Sequence, residues 1–144
     1  MIDKSKTLQT TISLINSKVK FDGWTEGNKP VSIDYIPPVG DSDGYTSLEL
    51  LLLSLSSCLG TALLLFLRRM NKTIGEFRIE ASGDRRQEHP TCFSKITLEI
   101  HLQASDTTVA EVEKVIKMAE ETYCPVWALL KGNVEIETNV VIAT

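Results

Sequence analysis

Positive charge is scarce in this chain, which has 15 lysines and arginines against 19 acidic residues and a net charge of −4. Nucleic acids and anionic membranes are bound through basic surfaces, so neither is expected as a partner. Arginine is absent before Arg68. The N-terminal third therefore has only lysines as cations, and these are Lys4, Lys6, Lys18, Lys20 and Lys29.

The motifs of nucleotide and hydrolase sites are also missing. The sequence has no glycine-rich phosphate loop and no Gly-x-Ser-x-Gly turn. We therefore expect neither a nucleotide nor a cofactor. The N-terminus does not carry the apolar core and small residues of a secretory signal, so a cytoplasmic location is expected.

Cysteine is limited to Cys58, Cys92 and Cys124. Three cysteines in a cytoplasmic chain are not a disulfide framework, which leaves structural thiols, metal ligands or redox groups. The metal alternative rests on "HPTC", where His89 and Cys92 have a ligand-like spacing, with His101 further on. A second closely spaced pair is absent, so no metal site is predicted, and Cys92 is interpreted as a strand residue.

The most prominent feature of the sequence is an apolar run from Leu48 to Leu67. It is almost long enough for a membrane span, which needs about 20 apolar residues. Glu49, several hydroxyl residues and Gly60 interrupt it and favour a helix buried inside protein. A chain of 144 residues has little interior for such a helix, so we expect a homodimer built around it.

The periodicity of the remaining sequence predicts one α+β domain over residues 1–144. Alternating apolar and polar residues predict about three short strands before residue 37 and two more within 75–104. Thr46 or Ser47 is expected to cap a helix over 47–70. A second helix is expected from about residue 105 to a stop at Gly132, followed by a closing strand. Strands and helices are segregated rather than alternating, which is typical of the α+β class.

One short stretch conflicts with this second helix. "TYCPV" places Cys124 directly before Pro125 inside the helical pattern. Proline in a helix interior removes a backbone donor and costs roughly 3 kcal/mol. A buried structural thiol does not require such a neighbour, so the pairing indicates a special role for this cysteine.

The chain resembles the OsmC/Ohr family of thiol peroxidases over nearly its whole length. The resemblance rests on "SLELLLLSLSSCLG" around Cys58, on "TYCPV" around Cys124, on their separation of 66 residues and on the loop "DRRQEHPTCFSKITLEI", which looks most like the YhfA-type branch. It implies a single OsmC-like domain with antiparallel sheets wrapped around long central helices in an intertwined homodimer. It also implies that Cys58 attacks an organic hydroperoxide, that Cys124 resolves the product, and that an unidentified thiol reductant recycles the pair.

The sequence departs from the family at two positions. The family's arginine in the N-terminal sheet is missing, and Leu48 stands where the partner glutamate is expected. We take Glu49, displaced by one position, as the third candidate catalytic residue, and Arg85 and Arg86 as candidate replacement cations, since a reactive thiolate needs a nearby positive charge. An alternative function remains, in which a non-catalytic dimer of this fold binds a small apolar ligand.

Overall fold

The structure, a computed structural model, describes residues 7–144. The chain divides into two compact units between Leu50 and Leu51. The single domain predicted for residues 1–144 stays a prediction.

The N-terminal unit contains a three-stranded antiparallel meander, as predicted. Its strands are β1 (Thr11–Leu14), β2 (Phe21–Trp24) and β3 (Val31–Ile33), in that order across the sheet. The loop after β3 is organised by Asp34, whose buried carboxylate accepts hydrogen bonds from the backbone N–H groups of Tyr35, Asp41 and Asp43. These bonds satisfy a buried charge that would otherwise be costly.

The long helix α1 runs from Ser47 to Arg69, close to its predicted bounds. Thr46 and Glu49 form a capping box at its N-terminus, with each side chain accepting from the other residue's backbone N–H. Leucines spaced by four residues form one fully buried stripe, which consists of Leu55, Leu59, Leu63 and Leu67. The helix is long and apolar enough to cross a membrane by length and composition alone, which is weak evidence for a span.

The C-terminal unit contains a second three-stranded sheet in the order β4 (Phe77–Arg85), β5 (Phe93–Gln103), β6 (Glu135–Ala143). Strands β4 and β5 form an antiparallel hairpin, whereas β6 lies parallel to β5. The prediction of antiparallel sheets is therefore wrong for the pairing of β5 with β6. Helices connect β5 to β6, and a helical crossover of this kind allows β6 to run parallel to β5.

The connection between β5 and β6 holds the remaining helices. Helix α2 (Val109–Met118) begins at a capping box of Thr108 and Glu111, passes into one π-helical turn (Ala119–Tyr123), and is followed by the short helix α3 (Pro125–Leu130). The predicted single helix is thus broken at Cys124. Gly132 follows α3 with φ of 85°, as expected of the predicted helix stop.

The core of this unit is formed by alternate side chains of β5 together with one face of each helix. Ile96, Leu98, Ile100 and Leu102 are buried on β5. Helices contribute the buried stripe of α1 together with Val112, Val115, Ile116 and Trp127. The separation of strands from helices along the chain confirms the predicted α+β class.

Candidate redox site

Cys58 lies in the middle of α1, one residue before the buried Leu59, and is itself half-buried. Two residues further on, Gly60 packs against β4. A Cβ atom at Gly60 would lie 3.3 Å from Cε1 of Phe77, so the absence of a side chain permits this close approach. The contact places the Cys58 turn of α1 beside the start of β4.

The local backbone around Cys124 explains the adjacent proline. The π-helical turn ends where the Cys124 N–H donates to the carbonyl oxygen of Ala119, 2.8 Å away. Cys124 then adopts an extended conformation, with φ of −101° and ψ of 100°, and becomes the N-cap of α3. A residue before proline disfavours the helical region, and proline suits the first position of a helix. Pro125 therefore begins a new helix and does not interrupt the interior of an old one.

The fold brings Cys58 and Cys124 together. Their Sγ atoms are 2.9 Å apart, with Cys124 as the donor, and both are free thiols. A disulfide bond is about 2.04 Å long, so a further approach of under an ångström would join them. Cys124 is almost fully buried, whereas Cys58 is only half-buried.

The environment of Cys124 disfavours its thiolate. Burial, and then the hydrogen bond to Cys58, raise the pKa of Cys124 to about 11, although the N–H of Trp127, 3.4 Å from Sγ, acts in the opposite direction. Desolvation penalises the charged form of any acid, which accounts for the direction. Cys124 is therefore a protonated donor at neutral pH.

An aromatic contact joins α1 to the residue that precedes Cys124. The rings of Phe66 on α1 and Tyr123 in the π-helical turn have centroids 4.7 Å apart at an interplanar angle of 49°. The Arg69 guanidinium lies 5.6 Å from the centroid of Phe66. Sequence reasoning missed this contact. Its signal was the position of Tyr123 next to Cys124 and of Phe66 two helical turns after Cys58.

Arg85, a candidate replacement cation, is engaged elsewhere. Its Nε and Nη2 atoms donate to the backbone oxygen and Oγ1 of Thr91, at 2.7 and 2.5 Å. Arg85 is also six residues along β4 from Ile79, which packs near Gly60, and six strand residues span about 20 Å. Its neighbour Arg86 is exposed. Arg85, the last residue of β4, thus bonds to the loop between β4 and β5.

Two lysines of the N-terminal unit also have partners. Lys18 Nζ lies 2.6 Å from Asp41 Oδ1, and Lys20 Nζ lies 2.5 Å from Asp43 Oδ2. The hydrogen bond that Lys20 donates to Asp43 raises the pKa of Lys20, although partial burial acts against it. Both ion pairs join the connection between β1 and β2 to the loop that Asp34 organises.

The Glu49 carboxylate accepts hydrogen bonds from the N–H and Oγ1 of Thr46, at 2.8 and 2.9 Å. The bond from the Thr46 N–H is the main reason why the pKa of Glu49 is lowered. Glu49 is nine residues before Cys58, which at ~100° per residue lies on the opposite side of the helix. The structure gives Glu49 a capping role, and its catalytic role stays a prediction.

The residues considered as metal ligands from the sequence do not form one cluster in the structure. His101 pairs with Arg78 at one end of the β4–β5 hairpin, whereas Cys92 lies at the loop end, nine strand residues or about 30 Å away. His101 is instead close to Glu99 and Glu80 on the polar face of the sheet. Glu99 Oε1 is 2.6 Å from His101 Nε2, but not in line with an N–H bond, so this buried nitrogen makes no well-formed hydrogen bond.

A sequence model of the family described as OsmC-like protein matches residues 40–139. No curated protein sequence matches the chain. Among solved structures, a hypothetical protein from Aquifex aeolicus VF5 is 21% identical with a TM-score of 0.82, and the alignment covers 96% of this chain and 97% of that chain. An OsmC-like protein from Mycoplasma pneumoniae is 19% identical with a TM-score of 0.82, covering 96% of this chain and 99% of that one.

An organic hydroperoxide resistance protein from Elizabethkingia anophelis is 21% identical with a TM-score of 0.70, and the alignment covers 96% of this chain and 97% of that chain. At such identities the likeness shows the fold alone, and it confirms the predicted OsmC-like fold. The YhfA-type branch stays a prediction. Because the family model spans more than half of the sequence, the chain belongs to the OsmC-like protein family.

Proposed function

We propose that this protein reduces organic hydroperoxides through the thiols of Cys58 and Cys124. The observation that carries the proposal is the 2.9 Å separation of two free Sγ atoms that are 66 residues apart in sequence. Free cysteines are often simple buried apolar residues. Two thiols in direct contact, one of them half-exposed, are what a peroxide-driven disulfide cycle requires.

The environments of the two thiols support different roles. Cys58 is half-buried, so a peroxide can reach it, and its sulfur accepts a hydrogen bond from Cys124. Cys124 is buried and protonated, which suits a thiol that reacts only after its neighbour has been oxidised. Cys58 is therefore the attacking group and Cys124 the resolving group.

The cycle has three balanced steps. The Cys58 thiol attacks the peroxide O–O bond of ROOH, which yields Cys58–SOH and the alcohol ROH. The Cys124 thiol then displaces hydroxide from the sulfenic acid, and its proton leaves with that hydroxide as water, so that a Cys58–Cys124 disulfide forms. A dithiol reductant finally returns both cysteines to thiols and is itself oxidised to a disulfide.

An organic peroxide fits the site better than a charged substrate. The residues beside Cys58 on α1 include the fully buried Leu55 and Leu59, which make the surroundings apolar. A protein of the same fold, from Elizabethkingia anophelis, is named for organic hydroperoxide resistance. We place the substrate in the class of small apolar hydroperoxides.

We further propose a homodimer located in the cytoplasm. Large apolar side chains on the helices of the C-terminal unit remain at least 45% exposed, and these are Leu53, Leu65 and Leu129. Exposed apolar surface on a long helix supports association with a second copy of the chain.

A second candidate function is binding of a small apolar ligand without catalysis. A cavity of about 300 Å³ in the N-terminal unit favours it, with a lining that is mostly apolar: Ile12, Val19, Phe21, Ile33, Asp34, Tyr35, Val39 and Ser47. The missing family arginine also favours this alternative, since no replacement cation bonds to Cys58 among residues 51–144 of the structure.

Peptide mapping after oxidation distinguishes the two functions. The reduced protein is treated with one equivalent of cumene hydroperoxide, and remaining thiols are blocked with an alkylating reagent. We expect a disulfide between Cys58 and Cys124 and an alkylated Cys92. A bridge that involves Cys92, or three alkylated thiols together with unconsumed peroxide, would contradict the proposal and favour ligand binding.

A further inference from the structure

We propose that the ring contact between Phe66 and Tyr123 is a positioning device for disulfide formation, holding the turn that carries Cys124 against the helix that carries Cys58. This inference rests on the proposed function, because it assigns these rings to the second step of the cycle. In that step Cys58–SOH and the Cys124 thiol combine to give the disulfide and water.

The sulfur contact and the ring contact lie at different positions along α1. Phe66 is eight residues after Cys58, which corresponds to about 12 Å along α1. Tyr123 directly precedes Cys124. The sulfur contact of 2.9 Å and the ring contact of 4.7 Å therefore fasten neighbouring residues of the turn to two separate points on α1. Two such points oppose rotation of the turn, which a single point cannot do.

The hydrogen bonds that Cys124 makes within its own connection do not hold the turn against α1. Its N–H donates to the carbonyl oxygen of Ala119, and its Sγ accepts from the N–H of Trp127. Both partners lie in the same connection between β5 and β6, so these bonds determine the shape of the turn but not its distance from α1. The sulfur contact changes chemically during the cycle, whereas the ring contact does not.

The geometry of the rings suits a specific contact. Aromatic pairs prefer tilted or offset arrangements with centroids 4.5–7 Å apart, and this pair meets that preference. The Arg69 guanidinium, 5.6 Å from the centroid of Phe66, is within the usual range of a cation–π contact and adds a further restraint on that ring.

The exposure of Tyr123 separates this role from a merely structural one. Its side chain is 52% exposed, and surface residues of this kind contribute little to the core. Loss of the ring should therefore change the rate of disulfide closure much more than the thermal midpoint of unfolding.

The test uses the full chain with Cys92→Ser, so that only one disulfide can form. Diamide oxidises two thiols to a disulfide and is itself reduced to a hydrazine, so closure is measured without any hydroperoxide. Samples are quenched by alkylation, and the disulfide is quantified by mass spectrometry. We expect Phe66→Leu and Tyr123→Ala to close the disulfide roughly three- to tenfold more slowly, the range implied by loss of one aromatic pair.

Matched control variants show whether a slower closure is caused by loss of the ring contact. Phe66→Tyr and Tyr123→Phe retain both rings and should close at the wild-type rate, as should Thr122→Ala, which alters the neighbouring exposed residue of the turn. Alkylation of Cys58 in a Cys124→Ser background should be unaffected by Tyr123→Ala, since the rings act on closure and not on the reactivity of Cys58. Wild-type closure rates in both Phe66→Leu and Tyr123→Ala would overturn the proposal.

A parallel experiment with cumene hydroperoxide and dimedone, which traps sulfenic acid, separates this inference from the proposed function. In the slow-closing variants, we expect more trapped Cys58–SOH than in the wild-type chain. If the peroxide leaves wild-type Cys58 unoxidised while the diamide rates follow the expected order, the peroxidase function fails and the positioning role stands.

Discussion

The Sγ atoms of Cys58 and Cys124 lie 2.9 Å apart, although 66 residues of sequence separate them. One cysteine is on a long helix and the other caps a short helix at the end of a π-helical turn. Each is a free thiol. The fold thus presents a preformed pair that needs little movement to become a disulfide.

The oxidised protein should be more stable than the reduced one. A Cys58–Cys124 bond closes a loop of about 66 residues, which in the chain-entropy model raises the free energy of unfolding by roughly 4 kcal/mol if little strain opposes it. Chemical denaturation of the oxidised and reduced forms measures the difference. Cys58→Ser should abolish it, and an oxidised form less stable than the reduced form would show that closure strains the fold.

The reduced protein should lose stability in alkali through Cys124. The folded-state pKa of this thiol is about 11, above its ordinary value of 9.0, so the folded state holds the proton more strongly than the unfolded state does. The contribution of Cys124 to the free energy of unfolding is then complete below pH 9 and declines as the pH rises from 9 to 11.

The measurement is urea denaturation of the reduced protein at several pH values, compared with Cys124→Ala. Other groups titrate in the same range, and the comparison removes their shared contribution. The difference in unfolding free energy between the two proteins should shrink as the pH rises. A difference that is constant from pH 8 to 11 would contradict the assigned protonation of Cys124.

Glu49→Gln tests the catalytic role predicted from the sequence. Glutamine can accept the same bonds from Thr46, so the free energy of unfolding should change by less than about 0.5 kcal/mol. Because the carboxylate is engaged at the helix end, we expect oxidation of Cys58 by cumene hydroperoxide to stay within about twofold of the wild-type rate. A tenfold decrease with unchanged stability would establish Glu49 as a catalytic residue.

Arg85→Met tests whether this arginine supports the thiolate of Cys58. Its guanidinium bonds to Thr91, so we expect a less ordered loop between β4 and β5 but no more than about a twofold change in the alkylation rate of Cys58. The rate is measured between pH 6 and 9 in a background that lacks Cys92 and Cys124. Arg86→Met is the matched control. Markedly slower alkylation in Arg85→Met alone would show that Arg85 replaces the family arginine.

The protein should sediment as a dimer at micromolar concentration. Leu65 on α1 is 45% exposed, and a charge placed in an apolar interface is costly, so Leu65→Glu should shift the equilibrium toward monomer by at least tenfold. Lys117→Glu, which adds negative charge to an exposed position of α2, serves as the control. A stable folded monomer of the wild-type chain would refute the dimer.

Most elements of the fold were predictable because their signals are local. The apolar run and a cap at Thr46 or Ser47 predict α1, and the alternating patterns predict the three strands of the first sheet and the β4–β5 hairpin. The π-helical turn was not predicted, since Cys124 and Pro125 allow either a break or a kink in a helix. The parallel pairing of β6 depends on where the chain returns after α3, which periodicity does not encode.

The sequence by itself determined which chemistry is available: two helix-borne cysteines, one of them before a proline, and no arginine in the N-terminal third. Only the tertiary structure decided how these groups are used. The 2.9 Å sulfur contact and the burial that keeps Cys124 protonated depend on residues distant in sequence and on solvent exclusion, and the engagement of Arg85 by Thr91 depends on how the β4–β5 hairpin turns. Residue type sets the reactions a side chain can undergo, but its pKa and its partners follow from the surroundings that packing creates.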